Sequence, residues 1–111
     1  MLLLILGKLY SRGDQCVKVW SINDDDEYSL LAILKGHTGQ VWSLQFDKKV
    51  MDGNKSKRLY TGSEDTTVRV WNSDNYRLLA TLDANSAGVV AMTINDNKLY
   101  SKGGEIKIWK I

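Results

Sequence analysis

A short pattern occurs three times in this chain, and its repetition constrains the fold more than any other feature. LYSRGDQCVKVW begins at Leu9, LYTGSEDTTVRVW at Leu59 and LYSKGGEIKIW at Leu99. Each copy is an apolar-rich run, a polar turn and a second run that ends in tryptophan. A supersecondary unit repeated in this way is the sequence signature of solenoids and propellers.

Two further segments recur in the same order between the copies. LLAILKGH (Leu30 to His37) matches LLATLDAN (Leu78 to Asn85), and VWSLQF (Val41 to Phe46) matches VVAMTI (Val89 to Ile94). Each unit thus holds four runs rich in β-branched, leucine and aromatic residues, separated by Gly, Asn, Asp and Ser. VKVW, VRVW and IKIW alternate apolar with basic residues, which is the period of a strand. The sequence therefore predicts an all-β fold of four-stranded antiparallel sheets.

Composition narrows the classes of function. The 111 residues suit one domain, and 15 basic against 13 acidic side chains give a net charge of only +2. Nucleic-acid binding is not expected, because its binders usually carry a strongly basic face. The single cysteine forms no internal disulfide and fits an intracellular, cytoplasmic or nuclear, location. MLLLILGK is far shorter than a membrane helix, so no membrane partner is expected.

The middle unit resembles a WD40 repeat, one blade of a β-propeller. Gly36-His37, a strand and then LYTGSEDTTVRVW carry the resemblance, and three in-phase units extend it over essentially the whole chain. None of the units ends in Trp-Asp, since Ser21, Asn72 and Lys110 follow the three tryptophans. The resemblance implies propeller blades in an incomplete ring.

The blade boundaries follow from the repeat. Blade 1 spans about 1–35 and starts inside its first strand (Leu2 to Leu6), which we expect to be buried on both faces; blade 2 spans about 36–83; blade 3 spans about 84–111 and lacks its last strand. The charged insertion Asp47 to Arg58 is expected to be a surface loop. Propellers have roughly 4–8 blades. We therefore expect the remaining blades of a longer chain, or self-association, to close the ring.

The resemblance also implies a hydrogen-bonded network inside each blade. In the middle blade its members are His37, Thr61, Asp65 and Trp71. A buried indole N–H needs an acceptor, and a hydroxyl can both accept and donate. The other blades are expected to hold partial networks, because the first lacks the histidine and the third has Asn85 in its place. These partial sets are Ser11, Asp14 and Trp20 in the first blade and Ser101 and Trp109 in the third.

A catalytic interpretation competes for the same residues. Thr61, His37 and Asp65 could act as nucleophile, base and orienting group. The structural interpretation is preferred, because threonine is a poor nucleophile and no glycine-rich nucleophile turn is present. One histidine and one cysteine give no metal-ligand spacing. The sequence therefore predicts no catalytic residue, no metal and no cofactor.

The resemblance implies a non-catalytic scaffold that binds a protein or peptide on the propeller face. The family's contact positions map onto Gln40, Trp42 and Glu64 in the middle blade, Gly88 and Val90 in the third, and Gly13 in the first. An exposed aromatic at such a rim is a plausible anchor. The alternative for Trp42 is packing against the adjacent blade. Glu64 and Asp65 then have different roles, one as a contact and one as a network member.

Two other functions stay open from the sequence. LYTGS, LYS and IKIW also look like repeats of F-box and TRAF-type ubiquitin ligases, so the propeller could recognise a ligase substrate. An enzyme built at the channel mouth is the third hypothesis. The acidic run Asp24 to Glu27 is expected to be a solvated loop, with a cation or basic-peptide contact as the alternative.

Overall fold

The computed structural model describes residues 2–5, 7–47, 57–83 and 85–111. Within these ranges the chain forms three antiparallel sheets. The first sheet contains β1 (Leu2–Ile5), β2 (Lys8–Arg12), β3 (Cys16–Ile22) and β4 (Tyr28–Lys35). The second contains β5 (Val41–Asp47), β6 (Arg58–Ser63), β7 (Val68–Asn72) and β8 (Leu78–Leu82). The third contains β9 (Ala91–Asn95), β10 (Lys98–Gly103) and β11 (Glu105–Lys110).

The strands follow one another in space as they do in sequence. The first two sheets have the orders β1-β2-β3-β4 and β5-β6-β7-β8, and the third has the order β9-β10-β11. The predicted all-β class and four-stranded antiparallel sheets are confirmed. Residues 48–56, the main part of the predicted surface loop, lie outside the described ranges.

Turn chemistry supports this meander. Asp96 and Asn97 link β9 to β10 with φ values of 50° and 61°. A two-residue hairpin loop with both φ values positive is the type I′ turn, whose twist matches that of the strands. Asparagine and aspartate tolerate this conformation better than most residues, because their short polar side chains can hydrogen-bond locally. The sequence DN therefore fixes the register of this hairpin.

The core lies between the sheets in two clusters. The first cluster joins the first and second sheets through Tyr10, Val17, Val19, Leu34, Val41, Leu44, Phe46, Leu59 and Trp71. The second joins the second and third sheets through Tyr60, Val68, Val70, Val89 and Leu99. Alternate residues of β7 enter opposite clusters, since Val68 and Val70 face one neighbour and Trp71 faces the other. The central strands of the second sheet, β6 and β7, are thus covered on two faces by their alternation.

One prediction about the first strand is wrong. Leu2 and Leu4 are 66% and 63% exposed, whereas burial on both faces was expected. Leu3 packs against the first cluster, so only one face of β1 is covered. A run of leucines shows that a strand can be buried but does not show whether a second layer is present.

Candidate functional site

The middle sheet holds a continuous polar chain. The indole Nε1 of Trp71 donates to Thr61 Oγ1 at 3.0 Å, and Thr61 Oγ1 lies 2.6 Å from His37 Nε2. His37 Nδ1 lies 2.9 Å from Asp65 Oδ2. These three contacts are satisfied when the Thr61 hydroxyl donates to Nε2 and a neutral His37 donates from Nδ1, and we assign the tautomer on that basis.

Asp65 also organises the turn between β6 and β7. Its Oδ2 accepts the backbone N–H of Thr38 at 3.0 Å, and its Oδ1 accepts the backbone N–H and hydroxyl of Thr67 at 2.9 and 2.6 Å. Burial by itself raises the pKa of Asp65, but hydrogen bonds from Thr67, His37 and Thr38 outweigh it and bring the pKa to about 2. The carboxylate therefore ties the turn to the segment before β5.

The charge state of His37 follows from its surroundings. Burial lowers the pKa of His37, and this outweighs the opposing hydrogen bond and charge of Asp65. The neutral imidazole leaves Nε2 free to accept from Thr61. Both ring nitrogens are then occupied inside a buried network, so neither is available to a substrate.

This pKa shift predicts acid destabilisation in a defined window. Because the folded-state pKa of His37 lies below its ordinary value of 6.5, the unfolded chain takes up the proton first as pH falls. Stability is therefore fully present above about pH 6.5 and declines below it. We expect the melting temperature to stay level from pH 7.5 to about pH 6.5 and to fall steadily from there to pH 5.5. Circular dichroism melts of the wild type and His37→Gln test this, because the chain has one histidine and the variant should lose most of the slope. A flat or rising wild-type profile would contradict the assignment.

The first sheet contains a shorter version of the chain. Trp20 Nε1 donates to Ser11 Oγ at 2.9 Å. Within the described residues the Asp14 carboxylate makes no hydrogen bond; instead, the Asp14 carbonyl accepts the backbone N–H of Val41 at 3.0 Å. The turn here is one residue shorter than in the second sheet, which removes the position that Asp65 occupies. Asp14 therefore links two sheets and does not belong to the partial network.

The third sheet replaces the histidine with an amide. Trp109 Nε1 donates to Ser101 Oγ at 3.1 Å, and Ser101 Oγ donates to Asn85 Oδ1 at 3.0 Å. Asn85 is buried, and its Nδ2 has no hydrogen-bond partner among the residues that the structure describes. The third chain thus ends one link earlier than the second.

Sequence reasoning missed Glu105 in this sheet. Its carboxylate accepts the backbone N–H of Ser86 at 2.7 Å and also the Ser86 hydroxyl. These two hydrogen bonds lower the pKa of Glu105. Glu105 thus caps the residue after Asn85, as Asp65 caps the residue after His37. The sequence does place a carboxylate just after the GG turn, but it has no aspartate at the position equivalent to Asp65, and the interpretation looked for an aspartate there.

Trp42 lies at a β-bulge beside this network. The pairing of β5 with β6 shifts between Val41 and Ser43, which leaves Trp42 outside the regular ladder. A Cβ built on Gly88 would stand 2.4 Å from Trp42 Cζ3 and 2.9 Å from the Cα of Glu64. The absence of a side chain at Gly88 therefore allows the indole and the β6–β7 turn to approach the third sheet. Trp42 packs against that sheet and remains half-buried.

The other predicted contact residues of the second and third sheets lie on segments next to Trp42 and Gly88. Glu64 donates its backbone N–H to the Gln40 carbonyl at 2.9 Å, and its Oε1 accepts the Gln40 N–H at 3.3 Å. Val90 follows Gly88 by two residues and is 55% exposed. We call Gln40, Trp42, Glu64, Gly88 and Val90 the contact rim. It joins the start of β5, the β6–β7 turn and the segment before β9.

Gly13 belongs to a different turn. It is exposed between β2 and β3, and its backbone N–H donates to the Cys16 carbonyl at 2.8 Å. Nearby, Arg12 donates to the Val41 carbonyl at 3.0 Å, which places a cation next to the first residue of β5. Gly13 therefore lies in the β2–β3 turn and is not part of the contact rim.

The comparisons agree on one kind of repeat. The family model described as WD domain, G-beta repeat, matches residues 28–72. COMPASS component SWD3 of Saccharomyces cerevisiae is 37% identical over 101 residues, which cover 85% of this chain and 30% of that protein. Probable cytosolic iron-sulfur protein assembly protein 1 of Pyricularia oryzae is 40% identical over 58 residues, which cover 52% of this chain and 13% of that protein. The chain thus spans less than a third of the length of either relative.

Solved structures share the fold. The crystal structure of the computationally designed Ika4 protein matches with a TM-score of 0.79 and 26% identity, covering 99% of this chain and 64% of that one. The RRP9 WD40 repeats match with a TM-score of 0.71 and 24% identity, covering 95% of this chain and 31% of that one. None of the described ranges forms a helix long and apolar enough to cross a membrane.

Proposed function

Because this chain belongs to the WD40-repeat family, we propose that it is a non-catalytic scaffold that binds a protein or peptide at the contact rim. The observation that carries the proposal is Trp42. A bulge takes this large aromatic out of the strand ladder and leaves part of it accessible. The repeat does not need an indole there for its fold, since Val90 follows the corresponding Val89 in the third sheet.

The chemistry of the rim suits a protein partner. Tryptophan is enriched among interface residues that dominate binding energy, and it performs best when surrounding groups exclude water. Gln40, two residues before Trp42, and Glu64, whose Cα lies with the indole beside Gly88, are exposed and can supply the polar border. The backbone bond between these two residues holds the border in place. The rim therefore combines an aromatic anchor with fixed polar neighbours.

We expect the double variant Trp42→Ala, Glu64→Ala to lose at least about tenfold in partner affinity, in line with the loss of an interface hot spot. Its melting temperature should fall only slightly, because both side chains are partly or fully accessible. Proteins captured from cell extract by the tagged wild-type chain would be quantified by mass spectrometry and compared with the variant. The control is Leu31→Ala, Glu27→Ala on the exposed outer side. The same captured set with all three chains, or equal losses of folding and capture, would contradict the proposal.

The names of the relatives indicate the general class of partner. One relative is named as an assembly protein for cytosolic iron-sulfur proteins, and another as a COMPASS component. These names support a role within a multi-protein assembly, and the word cytosolic in one of them agrees with an intracellular location. Neither name refers to a ubiquitin ligase, so the ligase hypothesis gains no support from them.

The enzyme hypothesis has a clear test. His37 is buried, and its two ring nitrogens contact Thr61 and Asp65. A general base must reach the proton that it abstracts, directly or through one water. Turnover of any substrate that is lost in a folded His37→Gln chain would revive this hypothesis.

A further inference from the structure

Equivalent positions on the faces of successive sheets are occupied by similar residues. Tyr10 pairs with Val19 across β2 and β3, and both are buried against the second sheet. Tyr60 pairs with Val70 in the second sheet, and both are buried in the second cluster. Each of these faces is therefore covered by the following sheet.

The third sheet carries the same face, and no other sheet of the described ranges covers it. Tyr100 pairs with Ile108 in the corresponding register. Ile106 and Ile108 are 64% and 61% exposed. We call Tyr100, Ile106 and Ile108 the third-sheet face. It is as apolar as its two counterparts, whose valines are almost fully buried.

The first sheet carries the complementary face. In the second sheet, Phe46 pairs with Leu59 and Leu59 with Trp71, and this row packs on the first sheet. In the first sheet the matching row is Leu4, Leu9 and Trp20. The exposed large apolar residues on this side, which we call the first-sheet face, are Leu2, Leu4, Leu30 and Ile33. The chain thus presents both halves of its own internal interface.

Charge at the edge of the two faces agrees with this pairing. Between the first and second sheets, Lys8 Nζ donates to the Ser73 carbonyl at 3.0 Å and lies 4.9 Å from the ring centroid of Tyr76. The turn after β7 therefore packs beside the first residue of β2. The equivalent lysine in the third sheet is Lys98, which pairs with Lys110, and both are exposed.

The equivalent turn in the first sheet is strongly acidic. It follows β3 and contains Asp24, Asp25 and Asp26, all exposed. Consider the first sheet of another copy packed on the third-sheet face in the way that the second sheet packs on the first sheet. The acidic turn of that copy would then lie beside Lys98 and Lys110. Opposite charges at matching positions favour that pairing and disfavour others. In this arrangement the acidic run would contact the two lysines of another copy, a role that its composition alone does not indicate.

We propose that two copies of this chain associate head to tail, with the first-sheet face of each covering the third-sheet face of the other. Heterologous contacts form a closed ring when the rotation between subunits permits. Two copies of the three described sheets give six, within the range of roughly 4–8 blades, whereas three copies of them would give nine. Two copies also cover every face that one copy leaves open. This inference is independent of the contact rim, which lies on neither face.

The mass in solution tests the proposal directly. Light scattering after size exclusion should give about 25 kDa, twice the 12.5 kDa of one chain. Ile106→Asp combined with Ile108→Asp should give one chain's mass with an unchanged circular dichroism spectrum. Leu79→Asp serves as the control, because Leu79 is exposed on β8 of the second sheet, which contributes to neither face. A wild-type mass of 12.5 kDa at all concentrations would overturn the proposal and indicate that other blades cover these faces.

A charge exchange makes the test independent of folding defects. Lys98→Glu with Lys110→Glu, and separately Asp24→Lys with Asp25→Lys, should each weaken self-association at least about tenfold. Mixing the two variants should restore a dimer, because in the mixed ring one junction is wild type and the other has exchanged but complementary charges. Failure of the mixture to associate, while wild type does, would show that the two faces do not meet in this way.

Discussion

Asp65→Ala should lower the free energy of unfolding by about 3 kcal/mol or more. The change leaves the buried His37 Nδ1–H and the half-buried backbone N–H of Thr67 without their acceptor, and each buried unsatisfied donor costs roughly 1–3 kcal/mol. Such a loss is a large share of the 5–15 kcal/mol that stabilises a typical domain. Urea unfolding followed by circular dichroism measures it.

Glu64→Ala is the matched control for this substitution. It removes a neighbouring carboxylate of the same turn, whose side-chain hydrogen bond within the described ranges is a 3.3 Å contact with the exposed Gln40 N–H. We expect its effect on unfolding to stay within about 0.5 kcal/mol, as for most surface substitutions. Equal destabilisation by the two variants would show that the carboxylates do not have separate roles.

Trp71→Ala should be similarly severe, with an expected loss of about 3–5 kcal/mol. The indole is almost fully buried in the first cluster, and its removal also takes the donor away from Thr61. Trp109→Ala is the matched comparison, since Trp109 makes the same type of bond to Ser101 but is only half-buried. Its loss should be clearly smaller in the same urea titration. Trp109→Ala that destabilises as much as Trp71→Ala would contradict the ranking by burial.

Much of the fold could be predicted from the sequence because the same pattern occurs three times, so that each copy tests the interpretation of the others. Three copies ending in tryptophan set the strand period, the turns and the order of the sheets. The structure also brings His37, Thr61, Asp65 and Trp71 within hydrogen-bonding distance of one another in the order that the family resemblance implies. Residue type and spacing are informative here because each group requires a particular partner when buried.

The remaining features depend on contacts between segments, which no single segment of the sequence encodes. The exposure of Leu2 and Leu4 depends on whether another layer covers them, and the run of leucines does not contain that information. Glu105 replaces an aspartate because its longer side chain reaches Ser86 from a different turn position. The placement of Trp42 depends on a bulge and on the space left by Gly88 in the neighbouring sheet. All three are outcomes of packing between segments distant in sequence.

Hydrogen–deuterium exchange of the chain, with and without a protein captured through it, tests the central claim that partners bind at the contact rim. Binding should slow exchange in residues 38–42, 63–66 and 86–90, which carry the rim, and should leave the outer strand at 28–35 unchanged. Trp42→Ala, Glu64→Ala should abolish this protection in a chain that stays folded. Protection confined to the outer strands, with the rim unaffected, would contradict the account.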